Sequence, residues 1–203
     1  MAPPKFVIFD MDDVLCRYDL GRRLRALSAV SGKSPRDIRA AIWDSGFEDD
    51  SDAGRYPDSE TYLKEFASRL GHPLSRHQWI EARKCSMTPD ASVIDLAARC
   101  ARSSNISLFT NNGPLLKESL PEIFPEASRI FGLECYCSYE FGTKKPDPEV
   151  YRKLLDRLGA RPDESWFIDD KKSNVEGARI AGMEAHLYVS YDALARRAAE
   201  LGL

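Results

Sequence analysis

The chain has 203 residues and a formal net charge of -3, with acidic and basic residues mixed along its whole length. A chain of this length can form one domain with its own core and a smaller addition. The mixed charge excludes a basic stripe of the kind that binds nucleic acid, and no apolar run is long enough to cross a membrane or to act as a signal peptide. We therefore expect a cytoplasmic protein without a nucleic-acid or membrane partner, whose oligomeric state the sequence leaves open.

Three short, largely apolar runs predict buried strands at 6–9, 106–109 and 166–168. Each run ends abruptly in polar residues, which is typical of a central parallel strand that is covered on both faces. Weaker strand patterns lie at 134–138 and 185–189, and helical patterns separate most of these runs. The alternation predicts an α/β protein with a doubly wound, Rossmann-like parallel sheet.

Two helices of the predicted sheet domain have ends that can be read from the sequence. Asp147 and Pro148 are typical of an N-cap and a first helical position, and Gly159 is typical of the end of that helix. Ser173 and Glu176 have the spacing of a capping box, which predicts that a second helix begins there. Both helices follow polar residues that belong to the candidate site described below.

The interval 16–87 interrupts this alternation, because its apolar residues recur at helical spacing almost throughout. Four short helices are predicted in it: one over 20–30, one that begins after Ser34, one that ends at Gly71 and one that is capped by Ser75. We therefore predict a small all-helical cap over 16–87, inserted into an α/β core that comprises 1–15 and 88–203.

Two features of the predicted cap bear on its role. The acidic run 48–52 is predicted to be a solvated loop between the second and third helices, because charge runs are usually exposed to solvent. Trp43, Phe47 and Trp79 lie on helical stretches, where aromatic residues more often belong to the core than to a binding site.

The cysteines do not predict a redox or zinc site. They are five in number, so they cannot all pair, and they show no second cluster with zinc-ligand spacing. We expect reduced thiols at Cys16, Cys85, Cys100, Cys135 and Cys137.

Polar residues follow each of the three strongest predicted strands. Asp10 and Asp12 follow the first, Thr110 follows the second, and Asp169 and Asp170 follow the third. In an open parallel sheet the crevice beyond the carboxyl ends of the strands is where ligands bind, so these side chains are expected to converge. Several carboxylates in one crevice repel one another unless a cation lies among them, and oxygen ligands favour a hard ion such as Mg²⁺. A carboxylate nucleophile, a metal, a hydroxyl and a lysine together can bind a phosphoryl group.

In order and spacing, these segments resemble the four motifs of the haloacid dehalogenase superfamily across nearly the whole chain. The resemblance rests on Asp10-Met-Asp12, on Thr110, on Lys145 before Pro-Asp-Pro, and on the acidic pair at 169–170. It implies that Asp10 is a nucleophile that forms an aspartyl-phosphate and that Asp12 is the general acid and base. It also implies that Thr110 hydrogen-bonds the phosphoryl group.

The same resemblance assigns the remaining residues of the site. It implies that the Asn111 backbone N–H helps to bind the phosphoryl group and that Lys145 pairs with the nucleophile and the phosphate. It implies a Mg²⁺ site formed by the Asp10 carboxylate, the Asp12 carbonyl and Asp170, with Asp169 in support. Asn174 matches the polar position that closes the last motif. A register error of one residue would exchange Lys145 with Lys144.

Alternatives within and beyond the family stay open at this point. Dehalogenases of the superfamily lack the second Asp, so Asp12 argues against that activity. A phosphomutase keeps both Asp residues and differs in how the cap excludes water. A phospho-accepting signalling domain or a catalytically silent binding domain would belong to a different functional class. The sequence departs from the family at Asp13, where Gly is usual, and Asp tolerates the left-handed backbone conformation that such a turn needs.

The substrate is predicted only by class. The helical insert and the stretch around 46–57 are similar to a bacterial branch of the family that contains a glucose-1-phosphate phosphatase. This similarity implies a phosphatase for a small phosphorylated metabolite, such as a sugar phosphate, with Arg17, Arg55 and Tyr56 as candidate specificity residues. Closure of a cap would exclude bulky substrates such as phosphoproteins.

Overall fold

The structure is a computed structural model that describes residues 3–203. Its strands are β1 (Phe6–Phe9), β2 (Cys16–Tyr18), β3 (Met87–Pro89), β4 (Asn105–Thr110), β5 (Cys135–Cys137), β6 (Ser165–Asp169) and β7 (Glu184–Leu187). Its helices are α1 (Leu20–Ser31), α2 (Pro35–Ile42), α3 (Phe47–Asp52), α4 (Ser59–Leu70), α5 (Arg76–Lys84), α6 (Ala91–Cys100), α7 (Pro114–Ile123), α8 (Pro125–Phe131), α9 (Pro148–Leu158), α10 (Lys172–Ile180) and α11 (Tyr191–Glu200). Short 3₁₀ helices lie at Ser138–Phe141 and Pro162–Glu164.

Five parallel strands form the main sheet in the order β5-β4-β1-β6-β7. The central strand β1 is fully buried at Val7, Ile8 and Phe9. Its side chains alternate between two apolar clusters, with Val7 and Phe9 in one and Ile8 in the other, because successive residues of a strand point to opposite faces. Helices cover both faces, which confirms the predicted doubly wound α/β fold.

The ends of the helices next to the candidate site match the prediction in one case and not in the other. Helix α9 begins after Asp147, whose side chain accepts a hydrogen bond from the Glu149 N–H, and it ends at Gly159. The predicted capping box at Ser173 is wrong, because the N-cap of α10 is Lys171, two residues earlier, and it makes no side-chain hydrogen bond. The Asp169 carboxylate instead accepts the N–H of Lys171 at 2.8 Å and so holds the turn that leads into α10.

The interval between β2 and β3 contains helices α1 to α5, and the two strands pair antiparallel where the chain enters and leaves it. Four of these helices match the predicted ones. The acidic run is not a loop as predicted but the helix α3, which begins after Gly46 in the left-handed conformation. Phe47 anchors this helix by stacking on Tyr62, and acidic side chains in its first turn interact favourably with the helix dipole.

The helical insert is packed against the sheet domain at several points. On α5, Arg76 donates hydrogen bonds to Glu118 and Ser119 of α7, each at 2.9 Å. Ser51 of α3 lies so close to Gly113 that a β-carbon there would be 2.2 Å from the Ser51 hydroxyl oxygen. The Ser138 hydroxyl donates to the carbonyl of Asp52 at 2.6 Å. These contacts hold α3 and α5 against the sheet domain. The division into a cap over 16–87 and a core remains our proposal.

All five cysteines are free thiols, and only Cys85 is exposed. Among the described residues, no helix has both the length and the apolar character needed to span a bilayer.

Candidate active site

Three charged side chains meet at the carboxyl end of the sheet, where β1 and β6 end side by side. The ammonium group of Lys145 donates hydrogen bonds to Asp10 Oδ1 at 2.8 Å, to Asp169 Oδ2 at 2.7 Å and to the Phe109 carbonyl at 3.1 Å. The Lys145 side chain is 1% exposed and the Asp169 side chain is fully buried. One buried cation therefore joins two neighbouring strands through their terminal carboxylates.

The cluster of Lys145, Asp10 and Asp169 contains two acidic groups and one basic group. Burial raises the pKa of Asp10, and the negative charge of Asp169 raises it further against the opposing effect of Lys145. Burial favours the neutral form of Lys145, but the charges of Asp10 and Asp169 outweigh it and raise the pKa of the lysine. Two carboxylates share one ammonium group, so the cluster retains excess negative charge.

A third carboxylate adds to this excess and defines a candidate metal site. Asp10, Asp169 and Asp170 each offer an oxygen atom within 4.8 Å of the others. Asp170 Oδ1 is buried without a hydrogen-bond partner in the described part of the chain, and burial, followed by the charge of Asp169, raises the pKa of Asp170. An unpartnered buried oxygen among carboxylates fits a divalent cation with a preference for oxygen, such as Mg²⁺.

Asp169 and Asp170 are not equivalent in this cluster. Asp169 accepts hydrogen bonds from Lys145, from the Lys171 N–H and from the side-chain amide of Asn174, which lies 3.0 Å from each carboxylate oxygen. Asn174 is itself buried. The oxygens of Asp169 are thus engaged by the protein, whereas an oxygen of Asp170 is available for a ligand.

The residues after β4 line the same crevice. The Thr110 hydroxyl is buried and accepts a hydrogen bond from Asn112 Nδ2 at 2.8 Å, which leaves its own proton available to donate. The side-chain amide of Asn111 donates to the Lys145 carbonyl and accepts from the Lys145 N–H, both at 2.9 Å. Asn111 therefore fixes the backbone of the lysine segment, a contact that the sequence did not predict. The neighbouring Lys144 does not take the place of Lys145, because its ammonium group pairs with Asp49 of α3.

Asp12 is separated from the carboxylate cluster and faces the helical insert. Arg83 Nη2 donates to both carboxylate oxygens of Asp12, at 2.8 and 2.7 Å. Sequence reasoning missed Arg83, although it lies four residues after Trp79 on the buried face of α5, and a charged residue at a buried helix position is unusual.

A cavity of about 220 Å³ lies between the sheet edge and the insert. From the core it is lined by Asp12, Asp13, Asn111, Asn112 and Lys171, and from the insert by Tyr18, Arg23, Trp43, Glu48, Asp49, Asp52 and Arg83. Three acidic residues of α3, Glu48, Asp49 and Asp52, therefore line the cavity, whereas Asp50 pairs with Arg55 on the surface. The insert forms the wall of the cavity opposite the sheet.

Comparisons with known proteins identify the family of this chain. A family model described as haloacid dehalogenase-like hydrolase matches residues 4–182. The chain belongs to the haloacid dehalogenase-like hydrolases. A phosphatase of Mycobacterium tuberculosis is 29% identical over 193 residues, which cover 89% of this chain and 85% of the relative. The D-ribitol-5-phosphate phosphatase of Bacteroides thetaiotaomicron is 23% identical over 190 residues, with 89% of each chain covered.

A solved structure has the same fold as this hydrolase. It is the crystal structure of a haloacid dehalogenase family enzyme from Bacteroides thetaiotaomicron in complex with magnesium and inorganic phosphate. Its TM-score is 0.78 at 19% sequence identity, and the alignment covers 92% of this chain and 94% of that one.

Three further expectations for this hydrolase can be compared with its structure. Asp13, which stands where the family usually has Gly, adopts the left-handed conformation with φ of 60°, and its carboxylate accepts the Tyr18 N–H at 3.0 Å. The three candidate specificity residues do not line the cavity. Tyr56 is buried against Phe47, Arg55 pairs with Asp50 on the surface, and Arg17 lies on β2 outside the cavity wall.

Of the three aromatic residues expected in the core, Phe47 and Trp79 are buried, whereas Trp43 is only partly buried and lines the cavity.

Proposed function

We propose that this hydrolase is a Mg²⁺-dependent phosphatase that acts on a small phosphorylated metabolite, such as a sugar phosphate, through an aspartyl-phosphate intermediate. The observation that carries the proposal is the buried Lys145 between Asp10 and Asp169, with an unpartnered oxygen of Asp170 beside it. This arrangement supplies a carboxylate nucleophile, a fixed positive charge and a metal site within one crevice.

In the first half-reaction, a carboxylate oxygen of Asp10 attacks the phosphorus atom and the bond to the ester oxygen breaks. Asp12 gives a proton to that leaving oxygen. Lys145 and the Thr110 hydroxyl stabilise the negative charge on the phosphoryl oxygens, assisted by the Asn111 backbone N–H. Mg²⁺, held by Asp10, Asp170 and the main-chain carbonyl of Asp12, would neutralise further charge on the phosphoryl group.

In the second half-reaction, water attacks the phosphorus atom and the bond to Asp10 breaks, which regenerates the free carboxylate. Asp12 takes the proton from this water. The Asp12 side chain is 27% exposed, and it lines the cavity. This partial exposure supports a role in proton transfer at the substrate.

The cavity supports a small substrate. Its volume of about 220 Å³ is below the roughly 300–1,000 Å³ of sites for drug-sized ligands. The polar and charged walls suit a hydroxylated metabolite, and a full-length relative is a phosphatase for a sugar-alcohol phosphate. Bulky phosphoproteins are expected to be poor substrates.

The test is hydrolysis of p-nitrophenyl phosphate and of a panel of sugar phosphates, followed by release of inorganic phosphate with Mg²⁺ and with EDTA. We expect turnover that requires Mg²⁺ and that Asp10→Asn lowers by at least about 10³-fold, because the nucleophile is lost. Asp163→Asn removes an exposed carboxylate far from the crevice and is the matched control.

Two results would contradict the proposal. Full activity of Asp10→Asn would exclude the aspartyl-phosphate mechanism. Interconversion of sugar phosphates without release of inorganic phosphate would identify a phosphomutase.

A further inference from the structure

Arg83 is a buried cation whose polar contacts are concentrated on one residue. Its side chain is 1% exposed, and its Nη2 atom contacts both oxygens of Asp12. The Nε and Nη1 atoms of Arg83 are buried without a hydrogen-bond partner among residues 3–203. The guanidinium carbon lies 4.4 Å from the centre of the Tyr18 ring, which fixes the plane of the group.

This arrangement is unfavourable for stability taken alone. Burial of unpaired guanidinium N–H groups carries a desolvation penalty. An apolar side chain four residues after Trp79 would extend the buried face of α5 without that penalty. The polar contact that offsets this penalty in the structure is the one with Asp12.

The Asp12 carboxylate has few other contacts that orient it. Besides Arg83, its hydrogen-bond partner in the described chain is the Cys16 thiol, at 3.8 Å, and thiols are weak donors. The backbone turns immediately after it, at Asp13. The direction of the Asp12 side chain thus depends on α5, which contacts α7 through Arg76.

We propose, on the basis of the phosphatase function proposed above, that Arg83 is a positioning residue for the second half-reaction. The ion pair holds the Asp12 carboxylate in one orientation at the cavity, from which it accepts the proton of the attacking water. As water attacks the phosphorus atom, the electron pair of the breaking bond returns to Asp10 and the proton moves to Asp12. Phosphorylation of Asp10 by an ester with a weakly basic leaving group needs no proton from Asp12.

The proposal predicts an altered balance of kinetic parameters. In Arg83→Met, hydrolysis of the aspartyl-phosphate becomes slow while its formation from p-nitrophenyl phosphate does not. We expect kcat to fall about 10- to 100-fold. KM should fall in parallel, so that kcat/KM changes by less than about 3-fold, because only a step after formation of the intermediate is affected.

Rapid mixing provides the decisive readout. With Mg²⁺ and p-nitrophenyl phosphate, Arg83→Met should release a burst of p-nitrophenol that approaches about one per active site, followed by slow turnover. Lys84→Met is the matched control, since Lys84 is the exposed neighbour of Arg83 at the end of α5 and does not line the cavity. The control should show no larger burst than the wild type.

Further variants keep the test decisive if Arg83→Met folds poorly. Arg83→Lys keeps the buried charge but cannot reproduce the planar contact with Tyr18. It should show a smaller burst than Arg83→Met, at unchanged kcat/KM. In an Asp12→Asn background, adding Arg83→Met should leave kcat unchanged within about 3-fold.

Two outcomes would overturn the inference without affecting the proposed function. If kcat and kcat/KM fall equally with no burst in both Arg83 variants, Arg83 acts before the intermediate or only in folding. If KM rises at constant kcat, Arg83 binds the substrate. By contrast, a wild-type protein that hydrolyses no phosphate ester would refute the proposed phosphatase itself.

Discussion

On the sheet side of the crevice, Lys145 is surrounded by Asp10, Asp169 and a main-chain carbonyl and is closed off from solvent. On the insert side, Arg83 is equally buried, yet two of its nitrogen atoms have no hydrogen-bond partner in the described part of the molecule, and its carboxylate partner Asp12 is partly exposed. Lys145 is thus the centre of a saturated network, because its three hydrogen bonds go to acceptors on three neighbouring strands or at their ends. The insert side depends on a few contacts made by a helical segment.

The difference indicates that the sheet side and the insert side of the crevice suit different roles. Residues at the ends of parallel strands are fixed by the sheet register, which suits a nucleophile and a metal site that need constant geometry. A wall made by an insert can change its contacts without disturbing the sheet, which suits substrate selection and exclusion of water. Both sides of the crevice carry charged residues, so substitutions that remove a charge can test each side separately.

The largest expected effect tests the sheet side. Lys145→Met leaves Asp10 and Asp169 buried without their cation, so we expect activity to fall by at least about 10³-fold and stability without Mg²⁺ to fall by about 3–5 kcal/mol. Activity assays and urea denaturation check both. Lys144→Met, which removes a more exposed lysine, is the control. A stable Lys145→Met protein would contradict the saturated network that distinguishes this side.

A smaller effect tests the metal site on the same side. If the proposed site binds Mg²⁺ in the folded protein alone, a concentration 100 times its Kd should stabilise the wild type by about 2.7 kcal/mol. Asp170→Asn should abolish this gain, since it removes the unpartnered carboxylate oxygen, while Asp163→Asn should retain it. Thermal denaturation with and without Mg²⁺ measures the shift. An equal gain in Asp170→Asn would move the metal site elsewhere.

The smallest effect tests the insert side through pH. Burial raises the pKa of Asp52, the charge of Glu48 adds to this, and Lys144 opposes it. The folded state therefore holds the Asp52 proton more tightly than the unfolded state, and stability is lost as pH rises through the folded pKa. Asp52→Asn should be more stable than the wild type at neutral pH, and the difference should vanish below about pH 4. Asp50→Asn, whose carboxylate pairs with Arg55 on the surface, is the control. Identical pH profiles for Asp52→Asn and the wild type would contradict the burial of this acid in the cavity wall.

The sequence by itself determined the fold and the residues at the strand ends. Buried strands such as β1 are read from local apolar runs, and the edge of a parallel sheet gathers whatever polar residues follow those runs. For this reason Asp10, Thr110 and Asp169 could be expected to meet before any contact was known. The left-handed turn at Asp13 could also be anticipated, since backbone preference is local.

Only the tertiary structure decided which distant residues hold these side chains in place. Arg83 and Asp12 are 71 positions apart, and Asn111 and Lys145 are 34 apart, so no local periodicity connects them. The acidic run 48–52 has the composition of a solvated loop, but Phe47 anchors it as α3 and Ser51 packs against Gly113. Contacts between elements, which depend on how the insert packs on the sheet, place Glu48, Asp49 and Asp52 of this run in the wall of the cavity.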